Sequence, residues 1–118
     1  NTVGKTFLYN KNDGPAIFAG YLIKFVVDEN KVKPQYLLTY TKSSLFKDWV
    51  RTNLRISAQP NINSQQYLQA PIIVPAKSVQ DDIIRMAADI YKINTNLKKQ
   101  VVYLKEKALK EFEQTIFE

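Results

Sequence analysis

The spacing of apolar and polar positions changes character near residue 75. Before it, short apolar runs alternate with turn-forming clusters. Lys5 to Tyr9 reads as a short strand, followed by a dense turn signal from Asn10 to Pro15. Gly20 to Val27 (Gly-Tyr-Leu-Ile-Lys-Phe-Val-Val) is rich in β-branched and aromatic side chains and predicts a buried strand, which Asp28 to Lys31 ends. Pro34 suits the first turn of a helix, where its missing N–H has no partner anyway. Tyr36, Leu37, Tyr40, Ser44 and Phe46 to Val50 continue at mostly helical spacing. Leu54 to Ser57 fits another short strand. Asn63 is placed to cap a small helix running through about Gln69, with Gln66 three residues on as in a capping box. Ala70 to Val74 predicts a last strand, closed by Pro75.

Beyond Pro75 the period becomes helical. Ser78 is a suitable N-cap, with Asp81 at the third helical position. From Val79 to Phe117 there is neither glycine nor proline, and Ile83, Ile90, Leu97 and Leu104 recur every seven residues. Their partners drift from the +3 side (Met86, Ile93) to the +4 side (Val101, Ala108), as on a nearly straight helix with one apolar stripe. At 1.5 Å per residue such a helix spans roughly 57 Å. It either folds back on its own domain or, the favoured reading, pairs with a second long helix through Ile83, Ile90, Leu97 and Leu104. The expected class is α+β: a small mixed domain of short strands and helices over residues 1–75, followed by one long C-terminal helix over 76–118.

Composition narrows the chemistry. The chain has no cysteine and no histidine, which removes disulfide scaffolds, thiolate metal sites, the usual zinc cages and histidine-based triads. No apolar run reaches the roughly 18 residues of a membrane helix, and no secretory signal pattern opens the chain. The first residue is Asn, as in a piece of a longer protein. Net charge is +6. Residues 1–75 carry nine basic and four acidic side chains, and residues 76–118 carry eight and seven, so the excess lies in the first part. An anionic partner such as nucleic acid is expected to meet that part. The second part has the mixed Lys and Glu of an exposed helix.

Several catalytic motifs fail on inspection. Gly4-Lys5-Thr6 resembles the end of a phosphate loop, but a strand rather than a helix is expected to follow. Asp13 with Glu29-Asn30-Lys31 loosely matches a metal-nuclease spacing, yet Glu29 and Lys31 sit in a turn signal. No Asn-Pro-Pro-aromatic tetrapeptide and no glycine-rich dinucleotide fingerprint is present. Asp81 and Asp82 favour a helix macrodipole and need no catalytic role. The expectation is a non-catalytic chain without cofactor or metal.

The stretch from Arg51 to Gln66 holds two of the three arginines and a run of side-chain amides. Arginine reads guanine, and Asn or Gln reads adenine, through paired hydrogen bonds in the major groove. Arg51, Arg55, Gln59 and Asn61 are therefore candidate DNA contacts. Lys42 and Lys47 are candidate phosphate contacts. The plainer alternative is that the amides cap turns.

In their order, the motifs resemble the target-recognition domain of Type I restriction-modification specificity (S) subunits. Gly4-Lys5 matches a Gly-basic pair before a strand. Leu22-Ile23-Lys24 matches a strand, Pro34-Gln35-Tyr36-Leu37 a helix start, and Gln59-Pro60-Asn61-Ile62 a turn. Ile72-Ile73-Val74-Pro75 matches a strand end, and Gln80 a glutamine near the start of a long helix. The chain departs from the pattern at Ile73 and Ala76, where the family usually has proline. The resemblance covers nearly the whole chain and implies a partial recognition domain that reads one half of a split site on double-stranded DNA. It implies a spacer helix that pairs antiparallel with another, in the same parent chain or a second copy, to set the half-site spacing. It also implies methyltransferase (M) and restriction (R) subunits as partners, which supply the chemistry, and a cytoplasmic location in a bacterium or archaeon. The competing expectation is a non-catalytic protein-protein interaction module that dimerises through its helix.

Overall fold

A computed structural model describes residues 3–54 and 61–117. A 3-10 turn at Lys11–Asp13 is followed by four α-helices: α1 (Pro34–Tyr40), α2 (Ser44–Leu54), α3 (Ser64–Tyr67) and α4 (Lys77–Phe117). The described residues contain no strand. This overturns the α+β expectation: the protein is helical, with one long C-terminal helix.

Each expected strand fails for want of a ladder. Between Gly20 and Val27 the backbone bond present is a turn, from Leu22 N–H to the Ala19 carbonyl at 2.9 Å. The segment is exposed from Gly20 to Val26 rather than buried. Lys5 to Tyr9 is tied by side chains, with Thr6 Oγ1 at 2.6 Å from Thr41 Oγ1 and the Tyr9 hydroxyl donating to the Gly14 carbonyl at 2.5 Å. Along Ala70 to Val74, tyrosine hydroxyls take the carbonyls that a neighbouring strand would use. Tyr40 donates to Pro71 at 2.8 Å and Tyr36 to Ile73 at 2.7 Å. Of the fourth expected strand, Leu54 ends α2, and Arg55 to Ser57 lie outside the described residues.

The helix starts follow local chemistry. Lys33 is the N-cap of α1, with Pro34 at its first position. The helical spacing from Tyr36 to Val50 is broken once, at Thr41 to Ser43. There Thr41 Oγ1 bonds back to the Leu38 carbonyl at 2.8 Å, and Ser43 Oγ accepts from Phe46 N–H at 3.3 Å, an N-cap for α2. At α3, Asn63 and Gln66 form the expected reciprocal capping box, with both bonds at 2.9 Å. α4 starts earlier than expected: Gln80 N–H already reaches the Ala76 carbonyl at 3.1 Å, so Ser78 lies inside the first turn rather than capping it.

The chain divides into two compact units, 1–84 and 85–118. The first has a core of Tyr36, Tyr40, Phe46, Val50 and Ile62, with Trp49, Leu54, Tyr67, Ile83 and Ile84 packed against it. Edge, tilted and stacked ring contacts run from Tyr36 through Tyr40, Phe46, Trp49 and Tyr67 to Phe25, with centroids 5.7–6.5 Å apart. In the second unit, the single helical stretch of α4, no described residue is buried. No helix among the described residues is long and apolar enough to cross a membrane.

Gln80 joins the first turn of α4 to that core. It is fully buried, and its amide is used at both ends. The oxygen accepts from Lys33 N–H, while Nε2 donates to the Lys31 and Pro75 carbonyls, all at 2.9 Å. Beside it, Lys33 Nζ forms an ion pair with Asp81. Three backbone groups that no ladder serves are thus satisfied by one side chain.

Candidate functional site

α2 presents two cationic side chains to a concave surface. Lys47 and Arg51 stand four residues apart and so project from one face. Both are exposed. Arg51 Nη1 bonds Asp48 Oδ1 at 2.7 Å, one turn back on the same helix. Between α2 and the Gly4 turn lies a shallow groove of about 240 Å³, lined by Val3, Gly4, Phe46, Lys47, Val50, Arg51 and Leu54.

Glycine is required in that groove wall. Gly4 has φ +81°, and a Cβ there would sit 3.0 Å from both Val50 methyl groups. Burial raises the Tyr67 pKa above 10.0, and the nearby Gly4 backbone draws it partly back. Tyr36 is also raised, by burial and then by the neighbouring Tyr40.

The remaining candidates scatter. Lys42 is exposed in the turn between α1 and α2. Asn61 is exposed beside Ile62, which is fully buried. Arg55 and Gln59 lie outside the described residues. The structure therefore brings Lys47 and Arg51 together. Of the amides, it commits Asn63 and Gln66 to capping.

On α4 the four stripe residues divide. Ile83 packs on the core of the first unit. Ile90, Leu97 and Leu104 are each more than half exposed. A second apolar row, Tyr91, Val102, Leu109 and Ile116, lies roughly 100° round the helix, and it too is exposed. Val102, Leu109 and Ile116 of this row are legible in the sequence as a seven-residue spacing, with Tyr91 eleven residues before Val102. The clamp made by Gln80 is not, because its partners are remote in sequence.

The nuclease motif does not assemble. The Asp13 carboxylate accepts from Asn10 N–H at 2.7 Å and closes the 3-10 turn, while Glu29 is exposed. No group of acidic side chains among the described residues is arranged to hold a metal ion. No protein-family model, curated protein or solved structure matches this chain.

Proposed function

We propose that the chain is a non-catalytic DNA-recognition module whose long helix pairs with another helix, in the manner of a restriction-modification specificity component. The observation that carries the reading is the exposed stripe Ile90, Leu97 and Leu104 on a 41-residue helix. An isolated helix is marginal in water, and an apolar face of this length calls for a partner. Antiparallel pairing about residue 95 sets Met86 against Leu104 and Ile93 against Leu97, with Val101 one residue out of register from Ile90. Recognition of double-stranded DNA is assigned to the first unit on its surplus of basic side chains and the Lys47–Arg51 face of α2. Methyltransferase and restriction subunits in a bacterial or archaeal cytoplasm are the partners and place that go with this role.

The exposed second row of α4 favours one further reading, an interaction module whose partner is protein alone. Selection against a random duplex pool separates the two. A recurring short element, with two copies at fixed spacing, is the result expected of a paired DNA reader. A folded, self-associated protein that binds no duplex at low salt would leave the interaction module. Orientation has its own test, since the chain has no cysteine. Met86→Cys mixed with Leu104→Cys gives cross-linked heterodimers if the helices are antiparallel, and each alone gives homodimers if they are parallel.

A further inference from the structure

We propose that the groove between the Gly4 turn and α2 seats one sugar-phosphate unit of the DNA backbone, which rests on the DNA-binding reading above. The lining separates by chemistry. Val3, Phe46, Val50 and Leu54 make an apolar floor, and among the described residues the two cationic side chains, Lys47 and Arg51, are the charged members of the lining. A bare inorganic anion gains nothing from such a floor. A deoxyribose with its phosphodiester has an apolar face for the floor and anionic oxygens for the rim.

The wall is fixed on the other side. Gly4 has no side chain to fill the groove, and a Cβ there would press on both Val50 methyl groups at 3.0 Å. Asp48 is not among the lining residues. It holds the Arg51 guanidinium by Nη1 at 2.7 Å and limits its swing, at the cost of a competing negative charge nearby. Lys47 carries no such pair in the described structure and supplies the second cationic contact.

The test is the salt dependence of binding by the whole chain to a mixed-sequence duplex of about 20 base pairs. Each neutralised phosphate contributes about 0.9 to the slope of log K against log salt. Lys47→Gln with Arg51→Gln is expected to lower that slope by about 1 to 2, while Lys98→Gln with Lys99→Gln leaves it unchanged. Trp49, the sole tryptophan, stacks on Phe46 of the floor at 5.9 Å, so its emission is expected to shift when duplex binds. Circular dichroism confirms that each variant is folded. Duplex binding with the wild-type slope in the α2 double variant overturns the groove proposal and leaves DNA binding standing. No duplex binding by the wild-type chain at low salt overturns both.

Discussion

Between residues 3 and 84, helices α1 and α2 and the turn before α3 send side chains into one aromatic core, and the amide of Gln80 meets three backbone groups. From Arg85 to Phe117 the chain is equally regular, yet nothing in it is buried. The first region carries its stabilising contacts within itself. The second has helical propensity and an apolar face, and its stability depends on what it meets. On the proposed pairing, the helical signal of residues 85–117 is expected to depend on protein concentration, because association stabilises by mass action. The tertiary signal of Trp49 is expected not to.

The largest effect is expected from Leu97→Lys. It places a charge in the middle of the exposed stripe, where a paired helix would desolvate it. Self-association is expected to weaken by at least about 100-fold, with the core signal from Trp49 unchanged. Light scattering that still finds a dimer at the wild-type concentration would break the contrast between the regions.

Gln80→Ala strikes the first region instead. It leaves Lys33 N–H and the Lys31 and Pro75 carbonyls without their partner, at about 2–4 kcal/mol by analogy with other buried unsatisfied groups. Urea unfolding followed by Trp49 fluorescence reads that loss. A midpoint equal to wild type would mean that the amide is not a clamp.

Gly4→Ala is expected to cost about 1–2 kcal/mol, from the positive φ and the approach to Val50. Tyr40→Phe removes one hydroxyl bond to Pro71, worth about 1 kcal/mol. The same unfolding assay ranks both, and the reverse order would show that the Gly4 turn yields easily.

The smallest effect is alkaline. A phenol whose folded pKa lies above its unfolded value adds stability that is complete below the unfolded value near 10.0. That stability is lost as pH rises through the folded pKa. For Tyr36 the urea midpoint is therefore expected to fall above about pH 10, with a smaller fall in Tyr36→Phe. Equal falls in the two proteins would remove Tyr36 as the cause.

What was legible in the sequence was local. The absence of glycine and proline after Val79, proline at position 34 and the Asn63–Gln66 spacing each specify a structure within one or two turns, and α4, α1 and α3 follow from them. The break at Ser43 was also local, but helical spacing on both sides hid it. The expected strands do not form, because β-branched and aromatic residues show only that a segment suits a sheet. A ladder needs a neighbour, and here tyrosine hydroxyls satisfy Pro71 and Ile73 instead. At the candidate site, the four-residue spacing of Lys47 and Arg51 was readable. The contact of Gly4 with Val50 was not, because it joins positions separated by most of the first unit.

The run from Ile17 to Val26 has a consequence for handling and for life in a cell. Ile17, Phe18, Tyr21, Leu22, Ile23, Phe25 and Val26 are all exposed, and Lys24 is the one charge among them. Such a run is a template for cross-β growth, with a single gatekeeper to resist it. A concentration ceiling in storage is the expected outcome. A second charge in that run, as in Ile23→Lys, is expected to raise the ceiling while leaving the aromatic core intact.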